Sequence, residues 1–410
     1  MYTRYARSTA LALFLGLAAC SGGTSTQPVS AVPATQPNFG ATPPGSSNTR
    51  MSCATRLPGD TMTCYAMFRT DVAMRPPGVQ PAAPSGYGPA DLQSAYALPS
   101  ASQGAGQKVA IVDAYDDPNA EADLGVYRTQ FGLPACTSSN GCFKKVSQTG
   151  STTSLPPANG GWAQEESLDV DMVSAICPKC SIVLVEATSA SNANLATAEN
   201  QAITQGANVV SNSYGGGETG GSNQAYNHPG HIITASAGDS GTGAQQPCSY
   251  ATVVCIGGTT LTKTGNARGW TETVWSGTGS GCSRYVTKPS YQTDKGCTKR
   301  SEADVSADAN PNTGVAVYDS YSYQGYKGWL VFGGTSVSSP AIAAVYALAG
   351  NASSENYAQS IWAAGGTAAL NDVTSGSNGR CSKSYPYICK AGVGYDGPTG
   401  WGTPNGIAAF

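Results

Sequence analysis

The stretch Gly333-Gly334-Thr335-Ser336-Val337-Ser338-Ser339-Pro340 decides how the rest of the chain is interpreted. The apolar residues 329–332 before it predict a strand, and the two glycines allow a sharp turn at its end. The small-residue run 341–350 predicts a helix that its last glycine ends, with Thr335 or Ser336 as the N-cap. Unpaired N–H groups and the helix dipole favour negative charge there. Such a hydroxyl is well placed to attack a carbonyl, although a capped core helix is the other interpretation.

The first twenty residues have the pattern of an export signal. Arg4 and Arg7 precede the apolar run 10–19, which is too short to span a bilayer. The run ends in Leu-Ala-Ala-Cys-Ser, which is similar to a bacterial lipoprotein cleavage box with Cys20 as the lipidated residue. An ordinary secretory signal, residues 1–19, is the alternative. We therefore expect an exported protein that is either secreted or anchored to the cell envelope through a lipid on Cys20.

The rest of the chain divides by composition into three parts. Residues 20–50 are mostly Ser, Thr, Gly, Ala and Pro, which predicts a disordered tether. Residues 51–85 add a cysteine pair and more prolines, which indicates a short pro-segment or collar. Residues 86–410 suit one large domain, in which few charges and many glycines (11% and 51 in the whole chain) indicate tight turns. No basic patch supports a nucleic-acid partner, and we expect a monomer.

The cysteine count is odd, at thirteen. Apart from Cys20, the cysteines fall into close pairs along the chain: Cys53/Cys64, Cys136/Cys142, Cys177/Cys180, Cys248/Cys255, Cys282/Cys297 and Cys381/Cys389. Exported chains place such cysteines in disulfides, so we expect neighbours to pair, although sequence does not determine connectivity. A zinc site at Cys177 and Cys180 is disfavoured, because no second pair of ligands completes it.

Short apolar strands alternate with helices along the large domain. The predicted strands are 109–113, 181–186, 207–212, 232–235 and 252–257, and the predicted helices are 120–131, 164–176 and 192–205. This alternation predicts an α/β fold in which helices cover both faces of a mainly parallel central sheet. Functional side chains in such folds gather at the carboxyl ends of the strands.

Two carboxylates share one face of the helix predicted at 164–176. Leu168 and Met172 set its period, and Glu165 and Asp169 have the same i, i+4 spacing. Neighbouring carboxylates repel when both are ionised, so one of them can stay protonated near neutral pH. Such a pair can act as a base oriented by a second acid, although a solvated acidic helix start has the same sequence.

A further acid, Asp239, lies among glycines at 236–241, directly after a predicted strand. It is either a turn residue or a protonated acid that donates to an oxyanion alongside the N–H of Ser336. The stretch 211–216 ends another strand, and its backbone could line a substrate cleft.

The sequence Gly-Thr-Ser-x-x-x-Pro around Ser336 resembles the nucleophile motif of the subtilisin-like serine peptidases and their relatives, the sedolisins. The chain has only two histidines, His228 and His231. Neither lies in the Gly-rich His-Gly-Thr helix start that subtilisins use for their general base. With Glu165, Asp169 and the Asp239 motif in order before it, the set resembles the sedolisin (serine-carboxyl peptidase) family.

This resemblance covers residues 87–410 and implies a subtilisin-like α/β fold in one large catalytic domain. It assigns Glu165 as general base, Asp169 as its orienting acid, Asp239 as oxyanion donor and Ser336 as nucleophile. The implied function is an exported endopeptidase that hydrolyses protein or peptide substrates at acidic pH through an acyl-enzyme. Only about 65 residues separate Cys20 from the domain, whereas family members usually carry a long pro-domain.

The C-terminal region resembles the calcium site of the same family. The resemblance implies side-chain oxygens from Asp372 and Asp396 and carbonyls from Val373, Gly392 and Gly394 around one structural Ca²⁺. Hard oxygen ligands and glycine-rich loops suit calcium. Two ordinary turn aspartates are the alternative.

Two other functions stay open at this point. One is a subtilisin-like peptidase that uses Asp113, a histidine and Ser336, since Asp113 resembles the strand-end aspartate of subtilisins. The other is a catalytically silent surface-binding protein on a peptidase scaffold. The missing histidine motif argues against the first, and the complete set of three acids and a serine argues against the second.

Overall fold

The computed structural model describes residues 48–54, 56–72 and 84–410. The predicted signal, Cys20 and all but the last residues of the predicted tether lie outside the described residues. Among the residues that are described, no helix is both long enough and apolar enough to cross a membrane.

The helices and strands alternate over most of the large domain. The helices are α1 (Pro89–Ala95), α2 (Ala120–Gln130), α3 (Gly160–Ile176), α4 (Asn192–Thr204), α5 (Thr335–Ala349) and α6 (Gln359–Ala364). The strands of the first half are β1 (Thr49–Met51), β2 (Thr63–Cys64), β3 (Met67–Arg69), β4 (Lys108–Ala114), β5 (Phe143–Ser147), β6 (Ser181–Ala187), β7 (Val209–Asn212), β8 (Tyr214–Gly217) and β9 (Ile232–Ser236). Those of the second half are β10 (Gln245–Gln246), β11 (Val254–Lys263), β12 (Trp270–Val274), β13 (Gly281–Thr287), β14 (Lys299–Glu302), β15 (Val305–Asp308), β16 (Val315–Tyr323), β17 (Tyr326–Gly333), β18 (Leu370–Asn371) and β19 (Thr403–Pro404).

The central sheet has the order β12-β11-β9-β7-β4-β6-β5, with β15 paired to β11. Every pairing in it is parallel except that of β11 with β12. Along β4, Val109 and Ile111 pack on the face that carries α3 and α5, and Ala110 and Val112 pack on the opposite face with α4. Both faces are therefore buried, and the predicted subtilisin-like α/β fold class is confirmed.

The predicted elements are present with shifted ends. Helix α3 begins at Gly160, four residues before the predicted start, because the Asn159 side chain accepts the N–H groups of Gly161 and Trp162. The strand predicted to end at residue 257 continues to Lys263, since its second half pairs with β12. Helix α5 ends as expected at Gly350, which has a left-handed backbone at φ 74°.

The segment before the large domain is part of the same folded body. Strand β1 pairs with β3, and β3 pairs with β17. Thr49 and Arg50, which composition assigns to the tether, therefore belong to a strand. Backbone hydrogen bonds to β3 stabilise this strand, although the local sequence does not favour one. The predicted end of the tether at residue 50 is wrong.

The cysteine pairing expected from sequence is confirmed for all of the described cysteines. Disulfides join Cys53–Cys64, Cys136–Cys142, Cys177–Cys180, Cys248–Cys255, Cys282–Cys297 and Cys381–Cys389. Each closes a short loop, so the disulfides restrain turns rather than joining distant parts of the fold.

Candidate active site

Ser336 lies in the first turn of α5, at the end of β17. The expectation that Thr335 or Ser336 caps this helix is wrong: the N-cap is Gly334, at φ 99°, and no side chain caps it. Gly334 is required because a Cβ there would overlap the carbonyl oxygen of Tyr65 and lie 2.6 Å from Asp239 Oδ2. The buried Ser336 hydroxyl donates to the carbonyl of Ser213 at 3.2 Å.

Asp239 lies beside the N-terminus of α5, because it follows β9 at the carboxyl end of the sheet. Its Oδ1 accepts the backbone N–H and the hydroxyl of Thr335, each at 2.8 Å. Its Oδ2 is buried without a hydrogen-bond partner. Burial raises the pKa of Asp239 to about 7, and the two bonds from Thr335 oppose that rise. The carboxyl is therefore protonated in acid, where its free oxygen can donate a hydrogen bond.

Glu165 and Asp169 lie on the buried face of α3 that is turned toward Ser336. The solvated-helix interpretation is wrong, because α3 is buried along 161–176 and both acids are inaccessible to solvent. Burial raises the pKa of both side chains. The Ser336 hydroxyl and the N–H of Ala66, 2.8 Å from Glu165 Oε2, oppose the rise at Glu165.

Asp169 is held in place by a hydrogen bond from Ser213. The hydroxyl of Ser213 donates to Asp169 Oδ1 at 2.9 Å. The nearby carboxyls of Asp113 and Glu165 add to the rise that burial causes in the Asp169 pKa. The pair thus has the form of a base and an orienting acid.

Asp113, whose role the sequence left open, extends this acidic group. It lies at the end of β4, fully buried, and neither of its carboxyl oxygens has a hydrogen-bond partner. Burial raises its pKa, and the nearby carboxyls of Glu165 and Glu186 raise it further. Sequence analysis missed Glu186 and Glu166, which continue the buried acids. The signals were that Glu166 is next to Glu165 on α3 and that Glu186 is a lone acid near the end of an otherwise apolar strand.

The two histidines lie at the amino ends of the strands, opposite to the end where Asp239 lies. His228 and His231 come before β9, whereas Asp239 comes after it. A strand of that length spans roughly 16 Å. The His231 Nδ1 pairs with the carbonyl of Ala207 at 2.8 Å. The arrangement therefore gives no support to a triad of Asp113, a histidine and Ser336.

The stretch 211–216 lines the site as expected, with its backbone. Strand β8 within it is paired on one side with β10 and on the other with β2, from the chain's own N-terminal segment. The same segment places Tyr65 and Ala66 next to Ser336 and Glu165. Sequence reasoning missed these two residues, because nothing in their own pattern indicates where the segment packs.

The proposed calcium ligands lie together near the C-terminus. Asp396 is buried, its Oδ1 accepts from Thr399, and its Oδ2 has no hydrogen-bond partner. Burial raises its pKa to about 7, and the nearby carboxyl of Asp372 adds to the rise. Asp372 is exposed and accepts the N–H of Gly394 at 2.8 Å. An orphaned buried carboxyl oxygen facing a second acid fits a divalent cation.

Comparison with known proteins agrees with this geometry. The chain matches the subtilase family over residues 158–382, more than half of its length, and therefore belongs to that family. It is 29% identical over 361 residues to sedolisin from Pseudomonas sp. (strain 101), covering 78% of this chain and 60% of sedolisin. It is 30% identical over 370 residues to kumamolisin from Bacillus sp. (strain MN-32), covering 80% of this chain and 64% of kumamolisin.

A solved structure of Pseudomonas sedolisin, described as a serine-carboxyl proteinase complexed with two molecules of pseudo-iodotyrostatin, is also similar. It shares 26% sequence identity at a TM-score of 0.64, over 79% of this chain and 96% of the solved chain. The resemblance to the sedolisins expected from the sequence is thus confirmed. The chain spans less than two thirds of the length of the sedolisin and kumamolisin chains that it matches.

Proposed function

We propose that this chain is an exported serine-carboxyl endopeptidase that hydrolyses peptide bonds at acidic pH through an acyl-enzyme on Ser336. The observation that supports this proposal most is that Glu165, Asp239 and the N-terminus of α5 all lie around the hydroxyl of Ser336. Ser336 faces the base Glu165 on α3, and the free oxygen of Asp239 lies beside the N-terminus of α5. Nothing in a binding scaffold requires these three groups to meet.

In the proposed first step the Ser336 hydroxyl attacks the substrate carbonyl and transfers its proton to Glu165. Glu165 is suited to this role by its position beside Ser336, and the N–H of Ala66, which donates to its Oε2 at 2.8 Å, favours its ionised form against the rise in pKa that burial causes. Asp169, fixed by Ser213, orients the base.

The negative charge that forms on the substrate oxygen is stabilised by two donors. One is the backbone N–H of Ser336, and the other is protonated Asp239. Glu165 then returns its proton to the leaving amine, and water hydrolyses the ester by the same route. Because Asp239 must be protonated, activity is confined to acidic pH.

A structural Ca²⁺ bound by Asp372 and Asp396, with carbonyls of Val373, Gly392 and Gly394, is part of this proposal. The orphaned oxygen of Asp396 supports it. Such an ion would neutralise the two acids and hold the C-terminal loops in place. Export, with or without a lipid on Cys20, is likewise proposed from the sequence alone.

The test of the function is hydrolysis of a peptide library at about pH 4 by the purified full-length chain. We expect cleavage by the wild type and none by Ser336→Ala, with both proteins folded by circular dichroism. Equal hydrolysis by both proteins would show that another residue, or a contaminant, is the catalyst.

A further inference from the structure

The segment between β2 and β3 runs through the site as an extended peptide. On one side of Ser336, Thr63 and Cys64 pair antiparallel with Gly215 and Tyr214 of β8. On the other side, β3 pairs antiparallel with the end of β17, so that both edges of the cleft are hydrogen-bonded to it. Main-chain pairing of this kind is the general way in which an extended peptide adds to a strand edge.

The backbone of Tyr65 continues this pairing up to the nucleophile. Its N–H donates to the carbonyl of Ser213 at 3.2 Å. Ser213 is also the residue whose carbonyl accepts from the Ser336 hydroxyl. The next peptide bond along the segment, Tyr65–Ala66, therefore lies at the point where chemistry is proposed to occur.

The Tyr65–Ala66 bond is oriented for hydrolysis. The carbonyl oxygen of Tyr65 and the unpartnered Oδ2 of Asp239 both lie close to the position that a Cβ on Gly334 would take, so this carbonyl oxygen is a neighbour of the acid that is proposed to donate to the oxyanion. On the other side of the bond, the N–H of Ala66 donates to Glu165 Oε2 at 2.8 Å. Glu165 is the group that must protonate a leaving amine, and this amide nitrogen is already in contact with it.

The side chain of Tyr65 fills a slot in the wall of the cleft. It is only 3% exposed, and its hydroxyl pairs with Oε1 of Gln245. The slot lies between Gly215 and Gly238, where a Cβ on either residue would come close to the Tyr65 hydroxyl. Two glycine walls and a polar group at the far end suit an aromatic side chain with a hydroxyl tip.

We propose that residues 62–69 are an internal substrate and that the chain hydrolyses its own Tyr65–Ala66 peptide bond. The proposal rests on the proposed function and adds a particular substrate and processing site to it. Ser336 Oγ bonds to the Tyr65 carbonyl carbon, and its proton passes to Glu165. The carbon–nitrogen bond then breaks as Glu165 gives that proton to the Ala66 nitrogen, and water releases Tyr65 as a free carboxyl group.

The disulfide next to the bond is compatible with release. Cys53 and Cys64 both precede the bond, so cleavage separates the chain at this point without a covalent link between the pieces. After cleavage, the N-terminal piece is held by noncovalent contacts alone, such as the pairing of β1 with β3 and the hydrogen bonds of Ser52 with Gln164 and of Tyr115 with Asp60. Its departure would free the β8 edge of the cleft for other substrates, whereas β3, which follows the cleaved bond, would stay paired with β17.

The experiment follows the reduced intact mass and N-terminal sequence of the full-length chain after a shift from about pH 8 to about pH 4. We expect the wild type to yield a product that begins at Ala66, and Ser336→Ala to stay intact at this bond. Tyr65→Phe, which keeps the ring but loses the hydroxyl contact with Gln245, should be slowed roughly tenfold, and Tyr65→Ala should be slowed roughly a hundredfold by loss of side-chain binding. Tyr285→Ala, at an exposed tyrosine, is the matched control and should process normally.

Hydrolysis of an added peptide library, measured in the same samples, separates this proposal from the proposed function. A wild type that hydrolyses the library but stays uncut between Tyr65 and Ala66 overturns self-cleavage only. If the wild type cuts neither the library nor its own Tyr65–Ala66 bond, it is compared with the double variant Tyr65→Asp/Met67→Asp. The two substitutions weaken the binding of the segment in the cleft. Library hydrolysis by that variant alone makes the segment an inhibitor and overturns self-cleavage; none by either protein overturns the proposed function as well.

Discussion

Thr335 binds Asp239 twice, through its backbone N–H and its hydroxyl, and both bonds reach the same oxygen at 2.8 Å. The other oxygen of Asp239 stays free beside Gly334. The double contact aligns the carboxyl and leaves one oxygen available to the site. It also opposes the rise in pKa that burial causes, because donors stabilise the ionised form.

Removing one of these donors should shift the pH dependence. In Thr335→Val the hydroxyl bond to Asp239 is lost, so the pKa of Asp239 rises further and its protonated form persists to higher pH. We expect the alkaline limb of kcat/KM to move upward, with a stability loss of about 1–3 kcal/mol, because the buried N–H of Gly238 also loses the Thr335 hydroxyl as its acceptor. Thr335→Ser keeps the donor and should behave like the wild type. An unshifted limb in Thr335→Val would contradict the role given to this contact.

The wild-type pH profile itself is a second prediction. The pKa of Asp239, raised to about 7, keeps the group protonated below neutrality, and ionisation above that removes the oxyanion donor. We expect kcat/KM to peak at about pH 3–6 and to fall toward neutral and alkaline pH. Asp239→Asn, whose amide does not titrate, should be slower but should lose this fall. A wild-type optimum at about pH 8 on the same peptide would rule out the proposed oxyanion donor.

Catalysis should not depend on histidine. The variant carrying His228→Gln and His231→Gln should keep most of its activity, since both residues lie at the amino end of β9. Glu165→Gln should lose on the order of a hundredfold or more in kcat, the usual range for a general base. Thermal unfolding of both proteins serves as the folding control. A folded but inactive double histidine variant would overturn the carboxylate base.

Removal of calcium should destabilise the protein. A ligand that binds only the native state stabilises it by mass action, by about 2.7 kcal/mol at a hundredfold excess over Kd. We therefore expect a chelator to lower Tm by several degrees and added Ca²⁺ to restore it. Asp396→Asn should bind the ion more weakly and respond less to chelator. An unchanged Tm together with no metal by elemental analysis would remove the site from the proposal.

Much of the fold could be predicted from local pattern. Strands such as 109–113 are apolar runs between turn residues, and α5 is bounded by glycines at both ends, so each signal lies within its own element. The ends were less predictable, as α3 shows. Its true start depends on the side chain of Asn159, five residues before the predicted start at residue 164.

The types of residue in the site could also be predicted from the sequence, but their burial and protonation could not. The i, i+4 spacing of Glu165 and Asp169 put them on one face of a helix. Whether that face meets solvent or the core depends on what packs against it, and α3 turned out to be buried all round. Only that burial raises their pKa values.

The sequence by itself thus determined the fold class, the close spacing of the cysteines and the motifs around Ser336, because these depend on neighbours along the chain. The tertiary structure alone decided that Tyr65 and Ala66 meet Ser336, Asp239 and Glu165. That meeting joins residues more than 90 positions apart through strand pairing, and backbone hydrogen bonds of this kind are made by any side chain. They leave no pattern in the sequence from which they could have been inferred.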